Sequence, residues 1–571
     1  MERNQPNPAH VVPPTWLDST RVGWLFWLFS SQAGPPNRFL PRWIFLRALA
    51  AIYFSAFFSL IFQINGLIGP KGILPSGQFL NAVHGAMGLR RFWYAPTLFW
   101  ISSGTHAMMA VTLLGLIASA TAFLNLWPRL SFFVCFLCFL SFVSAAQDFS
   151  GYQSDGMLLE AGFIALFFCP RGLRPGWGIN SPPSRASLFL LLWEWFRIYF
   201  ESGLVKLLSG DVQWRNFTAM DEYYQNAPLP TWIGWYVEHL PHWFHAGTVA
   251  GTLVMELAIV WMLFLPRPVR LACFCIVTPW EIGVILTANY TFLNYLVLSL
   301  GFLLLDDRSV RLLVPLQLRN SLPEAEHSES EPQVEARLSI LESSGSPAIE
   351  AGRVQRRQPI RSVAGILEAA RLAVTSLTLA SIGYVTTAEL IRMLWSDLPL
   401  PTTPITDLEP FRVANQYGLF AVMTRGRYEI EFQGSNDGQN WTPYLFRYKP
   451  QPLNEAPRIY APYQPRFEWN LWFASLGDWH QSNFVALTEE RLLENDSDVL
   501  ALFQSNPFPK SPPRYVRAVL WQYWFTSMEE KHRTGNWWKR NLLGLFAPVV
   551  IRQQDGKFSA VEWPDPLPPH D

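Results

Sequence analysis

Long apolar runs separated by short polar segments fill the first 305 residues of the chain. Runs such as IFLRALAAIYFSAFFSLIF (44–62) and LSFFVCFLCFLSFVSAA (130–146) approach the ~20 residues that a helix needs to cross the hydrocarbon core of a bilayer. A further run follows near residue 364. The pattern predicts nine membrane spans, at residues 42–66, 97–120, 127–146, 155–170, 186–208, 243–265, 268–287, 290–305 and 364–386.

The hydrophobic period changes beyond residue 396. In RYEIEFQGSNDGQNWTPYLFRYKP, apolar and acidic residues alternate up to Ser435, and a second alternating run follows a turn at Asp437 and Gly438. Strict alternation about a short turn is typical of a β-hairpin, with Glu429 and Glu431 on its polar face. The predicted fold is therefore an α-helical multipass membrane bundle followed by a β-rich soluble domain.

A polar segment divides the last span from the others. Residues 306–362 are rich in Ser, Glu and Pro and poor in aromatic residues, a composition typical of disorder. The predicted organisation is a cytoplasmic N-terminal segment (1–41), a transmembrane bundle (42–305), a disordered cytoplasmic linker (306–362), a last transmembrane helix (363–395) and an exoplasmic β-rich domain (396–571).

Composition and charge distribution support a membrane protein and predict its orientation. Of 571 residues, 50% are hydrophobic and 15% are charged, too apolar for an ordinary soluble protein. Net charge is zero and excludes nothing, but the arginines cluster in alternate inter-span segments. The positive-inside rule then places the N-terminus in the cytoplasm and the C-terminal domain on the exoplasmic side, meaning ER lumen or periplasm.

Two carboxylates stand near or inside the fourth span, in GYQSDGMLLEAGF. Asp155 follows Ser154 at the predicted start of the helix, where it is expected to cap free backbone amides. Glu160 lies deeper, where an unpaired charge costs about 2.5 kcal/mol or more. We therefore expect Glu160 to be paired or protonated inside the bundle.

The fifth span offers a partner for Glu160. Glu194, Arg197 and Glu201 have i, i+3 and i+7 spacing, so they share one helix face on which the cation could bridge both acids. With Asp155, Glu160 and Lys206 they form a predicted intramembrane polar network. A structural network that locks helices together is preferred, and a functional pocket open to substrate or protons is the alternative.

Sequence patterns for metal or cofactor sites are weak. His239, His242 and His245 recur every three residues around Pro241, but no carboxylate or Cys pattern completes a zinc set. Cys135 and Cys138 have the spacing of a redox motif, but both lie inside an apolar span, where such a motif is not expected. No Walker loop, GxGxxG, GxSxG or HExxH stands in a suitable context. The prediction is no metal, no cofactor and no catalytic residue.

An aromatic-rich segment of the C-terminal domain is the candidate surface for binding another protein. YAPYQPRFEWNLWFASLGDW concentrates residue types that dominate protein recognition. The predicted contact residues are Tyr463, Gln464, Arg466, Glu468, Trp469 and Trp472. Tyr463, Gln464 and Arg466 are expected to be the exposed ones, because the spacing of Trp469, Trp472 and Phe473 also fits a helix buried in its own domain.

Several stretches together resemble the lipase maturation factor family. They are GLIGPKGILP (66–75), YQSDGMLLEAGFIALFF (152–168), the segment 200–245, TANYTFLN (287–294), ANQYGLFAVMT (414–424), YQPRFEWNLWFASLG (463–477) and NPFPKSPPRYVRAVLWQYWFT (506–526). Tyr463 replaces an expected His and Glu468 an expected Asp, so the resemblance gives no support for histidine chemistry at 463.

The resemblance implies a multipass protein of the ER membrane, or of the inner membrane in a bacterium. It implies a chaperone-like factor without catalysis, whose partners are immature secreted lipase-like proteins and the lipid bilayer, with no nucleic acid. The alternative is a membrane enzyme that uses its buried carboxylates, because the bundle also broadly resembles those of vitamin K-dependent carboxylase and DoxX type.

Overall fold

The chain folds into a helical region followed by a strand-containing domain. A computed structural model describes residues 20–314, 319 and 363–566. The helices before residue 320 are α1 Thr20–Phe29, α2 Phe39–Ile61, α3 Ile64–Ile68, α4 Ser76–Met87, α5 Arg91–Tyr94, α6 Thr105–Phe123, α7 Pro128–Val143, α8 Gln153–Phe168, α9 Arg185–Leu208, α10 Val212–Arg215, α11 Tyr223–Asn226, α12 Trp232–Glu238, α13 His242–Leu257, α14 Arg267–Thr287, α15 Leu293–Gly301 and α16 Asp307–Leu313. Those that follow are α17 Val363–Leu394, α18 Thr403–Leu408, α19 Arg466–Ala474, α20 Phe484–Leu493, α21 Ser497–Leu500 and α22 Met528–Thr534.

A helix coincides with each of the nine predicted spans, but length and apolar composition support only five of them as membrane spans. The five are Phe39–Ile61, Thr105–Phe123, His242–Phe264, Arg267–Thr287 and Gly365–Leu394. Two further apolar helices, Pro128–Val143 and Leu293–Leu304, are shorter. Nine crossings therefore remain a prediction, whereas a helical, transmembrane-like region with five candidate spans in the described residues is established.

Helices α8 and α9 fall outside the five for different reasons. Helix α8 has 16 residues, whereas a full crossing needs ~20. Helix α9 has 24 residues, long enough to cross, but it carries acids and bases along its length. The buried charged residues lower the mean hydropathy of α9. They are the same residues that were predicted to form the polar network.

Arginines at the predicted cytoplasmic end of the bundle bind backbone carbonyl groups. Arg42 donates to three carbonyl oxygens of the turn at 177–181, at 2.6–3.1 Å. Arg129 donates through Nε and Nη2 to the Cys169 oxygen at the end of α8, at 3.0 and 2.9 Å. A cation near a helix C-terminus satisfies carbonyls that the helix leaves unpaired and complements its dipole. These arginines therefore stabilise the loops and helix ends at this end.

The boundaries of the polar segments differ from those predicted. An ordered helix, α16, occupies 307–313, where the linker was expected to have begun, because Asp306 caps it by accepting from Ser309 N at 2.8 Å. Helix α1 lies within the segment 1–41, for which no helix was predicted. The rest of the predicted linker, 320–362, lies outside the described residues.

The C-terminal domain is built on an antiparallel sheet. Its strands are β1 Arg427–Ser435, β2 Thr442–Pro443, β3 Tyr515–Phe525, β4 Trp538–Leu545, β5 Val549–Arg552 and β6 Phe558–Glu562. The order is β2-β1-β3-β5-β6, and β4 also pairs with β3, beside β5 on the edge opposite β1. The expectation of a strand-containing C-terminal domain is confirmed.

The predicted hairpin forms, but its polar face is not exposed. All nine residues of β1 are buried, and the second arm, β2, has only two residues. Glu429 pairs with Lys449 at 2.6 Å, and Glu431 pairs with Arg540 at 3.0 Å. Basic side chains from a loop and from β4 therefore cover the acidic residues of β1.

Candidate functional site at the interface of the two regions

The segment between the last long helix and the sheet lies against the bundle. We call residues 413–424 the docking segment. It follows α18 and precedes β1, so it belongs in sequence to the C-terminal domain. Its backbone is held by polar side chains of α8 and α9 and by Asp211, the N-cap of α10, and these include most of the charges that the sequence predicted to be buried.

Glu160 is the centre of this contact. Its side chain is 1% exposed and forms an ion pair with Arg197. The other carboxylate oxygen accepts from Asn415 N at 3.0 Å and from the Tyr417 hydroxyl at 2.8 Å. The predicted pairing of Glu160 with Arg197 is confirmed, and two of the remaining partners come from the docking segment.

Arg197 and Glu201 extend the contact along α9. Arg197 donates to the Asn415 carbonyl oxygen at 2.5 Å and lies 3.9 Å from a Glu201 oxygen. The other Glu201 oxygen accepts from Tyr417 N at 2.6 Å. Ser202 accepts from Leu419 N at 3.2 Å. One helix face therefore hydrogen-bonds the backbone of alternate residues, 415, 417 and 419, in a segment more than 200 residues further along the chain.

Glu194 does not join the network as predicted. It is fully buried, and neither of its oxygens has a hydrogen-bond partner within the part of the chain that the structure describes. Arg197 was expected to bridge Glu194 and Glu201, but its Nη atoms contact Glu160, Asn415 and Glu201. The bridging prediction is correct for Glu201 and wrong for Glu194.

Lys206 forms a second cluster. Its ammonium group donates to Glu256 on α13 at 2.9 Å and to the Leu419 carbonyl oxygen at 2.9 Å. It is connected to the Glu160 cluster through the docking segment. The predicted single network is thus two clusters joined by backbone that the prediction did not include.

Asp155 binds a residue of the C-terminal domain. Both of its oxygens accept from Arg466, at 2.7 and 2.8 Å, and both side chains are buried. Helix α8 begins after Tyr152, which makes no side-chain cap. The prediction of Asp155 as a helix cap is therefore wrong, because a bidentate guanidinium is a stronger partner for a carboxylate than backbone amides.

Polar residues that sequence reasoning missed complete the interface. The Gln63 side chain accepts from Arg466 N at 2.8 Å and donates to the backbone carbonyl oxygen of Gln464 at 2.9 Å. Asn289 accepts from Tyr460 N at 2.7 Å. Asn289 and Asn415 stand in TANYTFLN and ANQYGLFAVMT, two stretches that carry the family resemblance. That resemblance was the one sequence feature that could have marked these two residues as important.

Burial corrects the predicted client-binding surface. Most of its residues are buried, with exposed fractions of 1% for Gln464, 0% for Arg466, 3% for Glu468, 8% for Trp469 and 8% for Trp472. Tyr463 is half-buried and accepts from Gln63 at 3.2 Å. Gln464 and Arg466 were expected to be exposed, and this is wrong because both bind Gln63, between α2 and α3, and Arg466 also pairs with Asp155 of α8. The predicted helix over Trp469 and Trp472 is confirmed as α19.

Glu468 has a structural role within the domain. Its carboxylate accepts from three consecutive backbone N–H groups, those of residues 447–449, at 2.6–2.9 Å. Burial raises the pKa of Glu468 to about 7, and the three N–H donors act in the opposite direction. Glu468 therefore anchors the loop that also supplies Lys449 to Glu429.

The arrangement fixes one region to another and shows no metal-binding geometry in the described ranges. Among those residues, no group of three or more His, Cys, Asp or Glu could hold a metal ion. Cys135 and Cys138 are buried free thiols in α7. The carboxylates of Asp155, Glu160 and Glu201 each bind a cation or a backbone N–H group of the C-terminal domain. The buried acids Glu194 and Glu489 have no hydrogen-bond partner among the described residues.

Comparison with known proteins agrees with both regions. The family described as Lipase maturation factor transmembrane domain matches residues 40–312, and Lipase maturation factor C-terminal domain matches residues 413–548. The second match begins where the docking segment begins, so the segment belongs to the C-terminal family domain.

Curated relatives match over most of their length. Lipase maturation factor 2 of Gallus gallus is 33% identical, and the match covers 90% of this chain and 82% of the relative. Lipase maturation factor 2 of Homo sapiens is 31% identical over the same shares. Lipase maturation factor 1 of Mus musculus is 30% identical, and the match covers 93% of this chain and 90% of the relative. No solved structure matches. The chain belongs to the lipase maturation factor family.

Proposed function

We propose that this protein is a membrane-embedded maturation factor that assists the folding and assembly of secreted lipases or related exported proteins. It acts by binding immature clients and not by catalysis. The observation that carries the proposal is family membership over both regions, together with buried charges that bind the C-terminal domain to the bundle.

Docking of the domain on the bundle supports an exoplasmic position for it. The C-terminal domain contacts Gln63 near the end of α2, Asp155 near the start of α8, Lys206 near the end of α9 and Asn289 after α14. In a nine-span topology with a cytoplasmic N-terminus, all four positions lie on the exoplasmic side. We place this side in the ER lumen of a eukaryotic host or the periplasm of a bacterial one.

Thiol labelling tests this orientation. The variants are made in a Cys275→Ser background, because Cys275 is exposed, and are tested in sealed vesicles of known orientation. Gln439→Cys, in the exposed β1–β2 turn, should react with an impermeant maleimide only when the reagent can reach the exoplasmic side. Gly345→Cys, in the predicted linker, should react only from the cytoplasmic side. The reverse labelling pattern would overturn the orientation and the exoplasmic client site with it.

Deletion in the native host tests the function. Without the gene, a defined set of secreted proteins should lose activity with little loss of messenger RNA, and immature forms should accumulate inside the cell. Wild type should restore these clients, and Arg466→Leu, which breaks the attachment to Asp155, should not. Arg447→Leu is the matched control, because Arg447 is exposed in the same domain.

The enzyme alternative makes a different prediction. If the buried carboxylates were catalytic, Glu160→Gln would accumulate and keep its C-terminal domain protease-resistant, yet it would fail to restore the clients. In the proposed function, restoration follows domain attachment in every variant. Unchanged secreted proteins in the deletion strain would contradict the maturation role itself.

A further inference from the structure

A cavity of about 530 Å³ lies beside the Lys206 cluster. Its walls come from α9, α13, α14 and α15, and the docking segment closes one side with Leu419, Phe420 and Met423. Most of the lining side chains are apolar or aromatic. Cavities of this size bury a single small ligand when a few polar groups fix its orientation.

The mouth of the cavity lies between two candidate membrane spans. Gly247 on α13 and Gly283 on α14 both line the cavity and are exposed. A Cβ atom added at either glycine would meet nothing within 4 Å. Residues 242–264, which contain α13, and residues 267–287, which form α14, have the length and composition of membrane spans, so in a bilayer this opening would face lipid near the predicted exoplasmic ends of both helices. A ligand that enters here comes from the bilayer.

One part of the cavity lining is polar and rich in acceptors. Glu281 accepts from the Tyr199 hydroxyl and from Asn294, both at 2.6 Å. The second Glu256 oxygen and the Asn294 oxygen are buried, and neither has a hydrogen-bond partner among the described residues. Buried acceptors without a donor cost free energy, so a ligand that brings donors is favoured.

Charge narrows the ligand class further. Two carboxylates, Glu256 and Glu281, stand against one ammonium group, that of Lys206, which already donates to Glu256 and to backbone carbonyls. An anionic headgroup would add a third negative charge to this site. A neutral headgroup with hydroxyl donors adds none and satisfies the free acceptors.

We propose that this cavity binds a single-chain amphipathic lipid with a neutral, hydroxyl-bearing head, of the monoacylglycerol or long-chain alcohol class. The chain lies among the aromatic residues and the head donates to Glu256 and Asn294. Since the docking segment forms part of the wall, an occupied cavity stabilises the docked state of the C-terminal domain through ligand linkage.

Photolabelling of the full chain tests this assignment. The protein is reconstituted in phosphatidylcholine nanodiscs with a monoacylglycerol that carries a diazirine in its chain. Labelled peptides should map to 243–256 and 279–297. Unlabelled monoacylglycerol should compete, and the fatty acid of equal chain length should compete at least about tenfold less well, the discrimination expected when polar groups mismatch.

Filling the mouth provides the matched variant. Gly283→Leu should reduce labelling about tenfold or more, because its side chain occupies the entry. Gly85→Leu is the control, since Gly85 is another exposed helical glycine with nothing within 4 Å of an added Cβ. If Gly283→Leu does not accumulate, Gly247→Leu replaces it. Labelling spread evenly over lipid-facing helices, or equal competition by the fatty acid, would overturn the proposal.

Discussion

The two ends of the bundle use buried charge in opposite ways. At one end, carboxylates on helices, such as Glu160 and Asp155, receive donors from the C-terminal domain. At the other end, arginines such as Arg42 and Arg129 donate to carbonyl oxygens of nearby loops and helix ends. The acids therefore bind the C-terminal domain, whereas the arginines bind loops and helix ends of the bundle itself.

This difference determines what each charge costs when it is left alone. A carboxylate stripped of its cation remains as an unpaired charge inside a low-dielectric region. A carbonyl stripped of its arginine is neutral, and one near the membrane boundary can be solvated by water. Substitutions at the acid end should therefore be more damaging, and they should release the C-terminal domain.

Arg197→Leu should have the largest effect. It leaves Glu160 and Glu201 without their cation, at a cost of about 3–5 kcal/mol in the free energy of unfolding. Yield and thermal stability in detergent should both fall, and proteases should cleave the docking segment. Adding Glu160→Gln and Glu201→Gln should recover part of the loss. Normal stability of the single variant would show that the network is not structural.

Arg466→Leu should come next, with a loss of about 3 kcal/mol, because it leaves one buried carboxylate unpaired. The double variant with Asp155→Leu should be much less destabilised than the two single losses added together. Thermal unfolding of the four proteins gives the coupling energy. Additive losses would mean that the ion pair between Asp155 and Arg466 does not hold the two regions together.

Arg42→Met sharpens the comparison from the other end. It removes up to three hydrogen bonds to neutral carbonyls, so the expected loss is about 1–2 kcal/mol. The C-terminal domain should keep its protease resistance. Release of that domain by Arg42→Met would erase the distinction between the two ends.

Tyr417→Phe should have the smallest effect. It removes one hydroxyl donor to Glu160 and keeps the ring, at a cost of about 1 kcal/mol. The shift in melting temperature measures this effect. Tyr444→Phe is the control, because the buried Tyr444 hydroxyl has no hydrogen-bond partner among the described residues. Equal shifts for the two variants would mean that the bond to Glu160 contributes nothing measurable.

The sequence predicted where helices form and which charges are buried, but not what those charges bind. Apolar periodicity is local and placed α8 and α9 within a few residues. Asp155 and Arg466 are 311 residues apart, and no local pattern encodes such a pair. Asp155 was therefore given the nearest available partner, the helix N-terminus.

The aromatic-rich segment was misassigned for a related reason. Its composition is typical of a protein–protein interface, and in the structure it does form an interface, with Arg466 and Trp469 buried against the bundle. Composition predicts that a surface is covered, but it does not predict whether the covering surface belongs to the same chain. The partners of the acidic residues of β1 were not predictable from local sequence either, because Lys449 and Arg540 come from outside that strand.

Hydrogen exchange of the docking segment tests the central claim most directly. Asn415 N and Tyr417 N donate to buried carboxylates, at 3.0 and 2.6 Å, so a peptide covering 413–424 should exchange slowly in the wild-type protein. In Arg197→Leu the same peptide should exchange much faster, while peptides from β3 keep their protection. Fast exchange in the wild-type protein, or no change in the variant, would contradict the claim that buried acids hold the C-terminal domain on the bundle.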